Sequence, residues 1–146
     1  MSVRRGRSVL VAVFLATLLG TLFGLVGPPV GVGATVPGCH PGRHVVCLGR
    51  GDGGHTVHVE LGQTVTVGLG GSALRWSGLH EVGPHLLHQR GATVVRQGAL
   101  TASYLATTVG RTGLRARGAP TCARGKACPQ FIVLWQVRVV VVPRGD

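Results

Sequence analysis

The chain has 146 residues and carries 15 Lys or Arg residues against four Asp or Glu residues, which gives a formal net charge of +11. So few acids leave no convincing pair of carboxylates for acid–base catalysis, and no Ser or Cys lies in a recognisable nucleophile motif, so we expect neither an enzyme nor a cofactor. The arginines are spread along the sequence without interleaved aromatic residues. We therefore interpret the charge mainly as a solvated surface and expect no nucleic-acid partner.

An export signal is predicted over residues 1–34. Three arginines precede an apolar run over residues 9–26, and small residues then lead to Ala34, where we place the cleavage site. The alternative is an uncleaved anchor, because a run of 18 apolar residues is at the lower limit for crossing a bilayer about 30 Å thick. The protein is therefore expected to be secreted or extracytoplasmic, and to contact the membrane only if residues 9–26 are retained.

The rest of the chain is predicted to be a leader followed by one domain. Residues 35–54 are rich in Gly, Pro and Cys and show no sustained periodicity, so we expect a disulfide-closed leader or linker there. Structure is expected to begin near His55, in a single β domain over residues 55–146. A length near the commonest domain size leaves no room for a second domain.

The first strands of this domain are predicted from alternation. In residues 57–69 every second residue is apolar on both sides of Gly62-Gln63, which predicts two strands joined by a turn or bulge. A Gly-rich turn then leads to a short strand in which Trp76 is expected to anchor the core. Residues 77–92 are predicted to be a loop around a short strand.

The second half of the domain alternates more clearly. One strand is predicted over residues 99–107. Gly110-Arg111 then turns into another over residues 112–118, and the clearest strand comes last and ends at Pro143. The residues expected to face inward are Leu100, Ala102, Tyr104, Ala106, Thr112, Leu114, Ala116, Trp135, Val137, Val139 and Val141. Six or seven short strands without a helical period predict an all-β fold, an immunoglobulin-like antiparallel β-sandwich.

Four cysteines fall after the signal, in two close pairs: Cys39, Cys47, Cys122 and Cys128. In an exported protein an even number of cysteines predicts two disulfides, for which three connectivities are possible. We favour the local pairs, Cys39 with Cys47 and Cys122 with Cys128, because Gly or Pro in each segment lets the chain fold back. The second bridge would close a protruding loop before the last strand.

A metal site is the alternative for the first pair. The pattern C-H-x3-H-x2-C, formed by Cys39, His40, His44 and Cys47, offers thiolate and imidazole ligands that suit zinc or copper(I). The disulfide is favoured because an exported protein meets oxidant before free zinc. The segment His80–His85 lacks the H-E-x-x-H spacing of a metalloprotease helix, so the remaining histidines are expected to lie on surface loops.

The order of these features resembles the immunoglobulin-like domains of bacterial exported proteins, in particular the chagasin-like group, which includes inhibitors of papain-type cysteine proteases. The resemblance covers residues 55–142 and rests on V-x-V-x-L-G-Q-T-V-T-V, a Trp strand, Tyr104-Leu105-Ala106, the Gly110–Ala116 strand and the final Trp-x-Val-x-Val. It implies an inhibitory wedge of three loops at one end of the sandwich, with an N-P-T-T-G-type motif in the first loop and R-P-W in the last. Both motifs are absent here.

The sequence thus favours an exported, non-enzymatic and monomeric binding module for a protein or an anionic cell-surface polymer. Binding is expected where residues 70–73 and 118–130 meet, because loops on a rigid sandwich commonly carry recognition. The candidate residues are Gly70, Gly71, Ser72, Ala73, Arg117, Arg124 and Lys126. The alternatives are a chagasin-like inhibitor of papain-type cysteine proteases and an exported metal-binding protein.

Overall fold

The computed structural model describes Val36, residues 38–71 and residues 73–145. The predicted export signal and its cleavage site lie outside these residues and stay predictions. In the described part of the chain, no helix has the length and apolar character needed to cross a membrane. The elements are a short 3-10 turn at Arg50–Asp52 and eight strands, β1 Val45–Leu48, β2 Thr56–Glu60, β3 Thr64–Leu69, β4 Leu74–Val82, β5 Leu87–Arg96, β6 Ala99–Ala106, β7 Gly110–Pro120 and β8 Val133–Val142.

The strands form two sheets of four, in the orders β1-β3-β6-β5 and β2-β8-β7-β4. With β2 left aside, this division of strands between the sheets is that of constant-type immunoglobulin domains. The predicted all-β sandwich is confirmed, with two differences. It has eight strands rather than six or seven, and it is not purely antiparallel, because β1 runs parallel to β3 and β2 runs parallel to β8.

One core lies between the two sheets, and the alternation predicted from the sequence supplies it. The inward residues of β6, β7 and β8 are all buried as expected, and Trp76 is 1% exposed. Trp135 lies in the same core, where its indole N–H donates a hydrogen bond of 3.0 Å to the carbonyl of Gly49. Burial of the apolar side of each strand against the opposite sheet is the main favourable contribution to the stability of the sandwich.

Strands occupy two regions that the sequence predicted to be a linker or a loop. β1 falls inside the expected linker 35–54, and its Leu48 is 2% exposed and belongs to the core, so the folded part starts before His55. β4 and β5 occupy most of residues 77–92, which leaves only a short connection over 83–86. β5 shows no alternation because it is an edge strand that is exposed along most of its length and irregular between Arg90 and Val94.

Candidate functional site

Three strand connections meet at one end of the sandwich. They are residues 70–73 between β3 and β4, residues 97–98 between β5 and β6, and residues 121–132 between β7 and β8. The N–H of Thr121 donates to the carbonyl of Ala73 at 3.0 Å, and the N–H of Trp76 donates to the carbonyl of Gly98 at 2.9 Å. Backbone hydrogen bonds therefore join the first connection to the last, and the second connection to the start of β4. We call the surface formed by the three connections the loop end.

The loop end rests on a firm base formed by the 3-10 turn. The carboxylate of Asp52 accepts a hydrogen bond of 2.6 Å from the N–H of Gly49, which closes this turn. The guanidinium of Arg50 lies over the Trp76 ring, 5.9 Å from its centroid, a geometry that favours cation–π attraction. Gly71, with a φ of +135° that suits glycine, lies beside Arg50. The turn thus ties the first connection to the core.

Large apolar side chains are exposed on the last connection. Phe131 is 51% exposed and Ile132 is 69% exposed, and both immediately precede β8. Upstream in the same connection, the Cys122–Cys128 disulfide closes a small loop, and an open groove of about 540 Å³ runs from Ala119 to Ile132. Two large apolar side chains beside a cross-linked loop are a surface that can be covered by a partner.

The structure brings together most of the predicted site residues. Gly70, Gly71 and Ala73 lie at the loop end, and Arg124 and Lys126 are exposed on the disulfide-closed loop. Ser72 lies outside the described residues. Arg117 is exposed but does not belong to a loop, because it pairs with Ser77 and Leu134 within the sheet. Its placement among the loop residues was wrong, since β7 continues three residues beyond it.

Both predicted disulfides are present, Cys39 with Cys47 and Cys122 with Cys128. The first bridge corrects the metal alternative, because it occupies the two thiolates that Cys39 and Cys47 would have contributed beside His40 and His44. No group of three or more potential metal-ligating side chains comes together among the residues that the structure describes. Two disulfides indicate an extracytoplasmic or secreted protein, since such bonds persist in oxidising compartments.

The remaining histidines are exposed, as predicted, but three of the five lie in strands rather than loops. They are His55, His58, His80, His85 and His88. Glu81, between two of them, has a structural role. Its carboxylate accepts hydrogen bonds from the N–H groups of Leu86 at 2.8 Å and Leu87 at 3.2 Å, and lies 3.4 Å from Nδ1 of His85. These bonds hold the connection 83–86 at the end of the sandwich opposite the loop end.

Sequence reasoning missed Phe131 and Ile132 as site residues. The signal was present in the run Phe131-Ile132-Val133-Leu134, because consecutive apolar residues before the inward-facing Trp135 cannot all point into the core. Alternation sends Leu134 outward, and it is 55% exposed. An apolar run that exceeds what one buried face can accept is therefore a usable signal for an exposed apolar surface.

Neither the protein-family models nor the curated proteins include a match to this chain. Among solved structures, a cysteine protease inhibitor from Entamoeba histolytica, EhICP2, has a similar fold, with 13% identity, a TM-score of 0.48, and coverage of 67% of this chain and 95% of that one. Amebosin has 15% identity and a TM-score of 0.40, over 69% of this chain and 100% of its own. Because both TM-scores lie below 0.5, these likenesses do not assign a function to the chain.

Proposed function

We propose that the chain is an exported, non-enzymatic binding module that docks its loop end onto a protein. The observation that carries this proposal is the exposure of Phe131 and Ile132 at the loop end, 51% and 69%. Large apolar side chains grouped on a surface mark interaction sites, and aromatic anchors contribute much of the affinity of protein interfaces. The charged residues Arg124 and Lys126 on the neighbouring loop would then lie at the rim of the interface.

A disulfide and a backbone hydrogen bond restrict the connections at the loop end. The disulfide between Cys122 and Cys128 restricts the longest connection, and Thr121 is hydrogen-bonded to Ala73 across to the first one. A surface that is already held in its binding geometry loses less conformational entropy when it meets its partner. The loop end therefore has both the exposed apolar area and the rigidity that a recognition surface needs.

A papain-type cysteine protease is the partner that we propose to test first. The specific observation in favour is the meeting of three connections at one end, the arrangement that the chagasin-like resemblance implies for an inhibitory wedge. Because the N-P-T-T-G-type and R-P-W motifs are absent, Phe131 and Ile132 would have to supply the contacts with the protease cleft. The first connection, with Gly70 and Gly71, would approach the cleft through its backbone.

Titration of a papain-type protease with the full chain, recovered in the form that export leaves, tests the inhibitor proposal. We expect inhibition at micromolar concentration or below, weakened about tenfold or more in the double variant Phe131→Ala, Ile132→Ala, since two interface anchors are removed. The matched control is Val109→Ala, which shortens a valine that is 48% exposed at the opposite end of the sandwich. Absence of inhibition at micromolar concentration would remove this partner.

The broader binding proposal has its own test. Retention of the chain at the surface of the expressing cell is compared for the wild type, the Phe131→Ala, Ile132→Ala variant, and the variant Arg124→Ala, Lys126→Ala. We expect the first variant to be released and the second to be released only in part, because rim charges contribute less than buried anchors. Equal retention of all three proteins would contradict docking through the loop end.

A further inference from the structure

Five arginines lie on the outer side of the sheet β2-β8-β7-β4. Successive residues of a strand point to opposite sides of the sheet, so the residues of β7 that alternate with the buried Thr112, Leu114 and Ala116 all point outward. The arginines on this side are Arg75, Arg111, Arg115, Arg117 and Arg138. The arginines are spread along the sequence, but the strand period and the pairing of strands collect these five on one side of the sheet.

The pairing register makes four of them a continuous patch. Arg111, Arg115 and Arg117 follow one another along β7, while Arg138 of β8 pairs with Gly113, between Arg111 and Arg115. Neighbouring strands lie about 4.8 Å apart and alternate residues of one strand about 7 Å apart, so each guanidinium can reach the same bound chain as its neighbour. We call these four residues the arginine face, with Arg75 at its corner.

Among the described residues, no carboxylate neutralises the arginine face. Asp52 is engaged by the Gly49 N–H, and Glu81 is held by the backbone of the connection 83–86. Glu60 points to the same side, one outward position beyond His58, which lies level with Arg111 across β8, but it forms no salt bridge with that arginine. Within the described residues the only contact of a carboxylate with a basic side chain is that of Glu81 with His85, so no arginine there has an acidic partner. The positive charge of this side is left for an external anion.

Two details of the face provide binding geometry. Arg115 donates from Nη2 to the amide oxygen of Gln136 at 3.2 Å, while its buried Nε has no hydrogen-bond partner among the described residues. Gly113 points outward without a side chain, and the hollow above it has a volume of about 460 Å³. The outward side chains around this hollow that can hydrogen-bond are those of Arg111, Arg138, Gln136, Thr56 and His58.

We propose that the arginine face binds an acidic polysaccharide, a sugar chain that carries carboxylate groups. Guanidinium groups bind carboxylates through two parallel hydrogen bonds, and the neutral polar groups of Thr56 and Gln136 beside them suit sugar hydroxyls. A nucleic acid fits less well, because both tryptophans, Trp76 and Trp135, point into the core, so that neither offers an indole ring on this side for base stacking. This binding surface is separate from the loop end and does not depend on the proposed protein partner.

Binding of the full chain to immobilised polygalacturonate, over a series of NaCl concentrations, tests the proposal. The variant Arg111→Gln, Arg138→Gln removes two charges beside the Gly113 hollow. We expect it to bind about tenfold more weakly or worse, and the slope of log affinity against log salt to fall by about one for each arginine–carboxylate pair removed. The matched control Arg124→Gln, Lys126→Gln removes two charges from the disulfide loop and is expected to change the affinity by less than about twofold.

Three outcomes would overturn the proposal. Equal weakening in the two double variants would show that net charge, and not the arginine face, attracts the polymer. A single-stranded DNA oligonucleotide that binds as tightly as polygalacturonate would replace the polysaccharide with a general polyanion. Absence of binding to polygalacturonate at low salt would remove the surface altogether. The Phe131→Ala, Ile132→Ala variant should keep polymer binding, and unchanged unfolding midpoints confirm that each variant is folded.

Discussion

The outer sides of the two sheets differ in chemistry although they share one core. The central strands β7 and β8 carry the arginine face, whereas the central strands of the other sheet, β3 and β6, carry neutral hydroxyl groups outward. On that hydroxyl face Thr66 Oγ1 and Ser103 Oγ lie 3.1 Å apart and form a hydrogen bond. The strand period is the same in both sheets, and the inward residues are equally buried.

This difference shows that the inward positions of the strands determine the fold, whereas the outward positions determine the chemistry of the surface. The inward positions of β3, β6, β7 and β8 are apolar apart from Thr112, and they supply most of the core. The outward positions are free of that demand, so one side has paired hydroxyls and the other has unpaired cations. Arginines without acidic partners repel one another and so lower the stability of the fold, and the binding of an anion would relieve this repulsion. The hydroxyl face, which carries no such charges, can therefore be compared with the arginine face to isolate the effect of the charges.

The largest expected effect is a loss in the free energy of unfolding when a buried leucine is shortened on either sheet. It tests whether the two sheets share one core. Leu114, 0% exposed beneath the arginine face, and Leu100, 1% exposed beneath the hydroxyl face, are changed separately to Ala. Each change should lower the free energy of unfolding by about 2–5 kcal/mol, because it removes buried methyl groups and leaves a cavity. Urea unfolding followed by tryptophan fluorescence, which reports on the sheet that carries Trp76 and Trp135, and by circular dichroism, which reports on both sheets, should show the same single transition in each variant. Two separate transitions would show that the sheets fold independently.

A smaller loss is expected from Gly118→Ala in β7. A Cβ at Gly118 would lie 3.1 Å from the ring of Trp76, which is buried and cannot move aside freely. Overpacking of this kind costs about 1–3 kcal/mol in the free energy of unfolding, measured in the same urea experiment. The control is Gly70→Ala beside the other sheet, where a Cβ would make an ordinary contact of 3.8 Å with Ala99. A loss in the control as large as that in Gly118→Ala would contradict this explanation.

The sequence predicted the strands whose two sides differ. β6, β7 and β8 alternate strictly, because each is a long strand with one side against the core, and Trp76 had the size and spacing of a core anchor. β5 could not be predicted, since an exposed edge strand has no need of alternation and the chain there has an irregular register near Arg90. β1 was not predicted, because it is short and the Gly and Pro residues around it are typical of a linker.

The surfaces were less predictable than the strands. Both local disulfides followed from cysteine spacing, but the arginine face depends on which residues of different strands lie side by side. Arg138 joins Arg111 and Arg115 only through the register of β7 with β8, and these residues are more than twenty positions apart in sequence. The exposure of Phe131 could have been suspected from the apolar run in which it lies, yet its position at the loop end could not.

An alkaline titration tests the burial of the Tyr104 phenol, which lies beneath the hydroxyl face. Tyr104 of β6 is 3% exposed, and burial, with a smaller contribution from the negative charge of Glu81, raises its pKa above the ordinary value. The folded state therefore holds the phenol proton more tightly than the unfolded state, whose pKa is about 10. Stability should be complete below about pH 10 and decline as the pH rises through the raised pKa.

The variant Tyr104→Phe should remove this decline. Because the phenol oxygen is buried and has no hydrogen-bond partner among the described residues, the same change should raise the free energy of unfolding by up to about 1 kcal/mol at neutral pH. Tyr104 is the only tyrosine, so tyrosinate absorbance reports its titration directly. Lys126→Gln is the control, as the only lysine is exposed on the disulfide loop. Release of the phenol proton at the ordinary pKa in the folded chain would contradict the prediction.

The smallest expected effect is a change in unfolding temperature when charge is removed from one outer side or the other. In low salt and without polymer, the variant Arg111→Gln, Arg138→Gln should unfold about 1–3 °C higher than the wild type, because it relieves repulsion between neighbouring guanidinium groups. The gain should vanish in about 1 M NaCl, where the screening length is about 3 Å. Thermal unfolding followed by circular dichroism at the two salt concentrations measures both values.

The matched control for this comparison is Arg90→Gln, Arg96→Gln, which removes the same charge from the edge strand β5. Both arginines are exposed, and the neighbouring strand β6 carries only neutral side chains outward, so their removal relieves little repulsion. The unfolding temperature of this control should stay within about 1 °C of the wild type at both salt concentrations. An equal rise in unfolding temperature in both variants would show that the repulsion comes from the net charge of the chain. A rise confined to Arg111→Gln, Arg138→Gln would show that the repulsion lies on the arginine face, where a bound anion would relieve it.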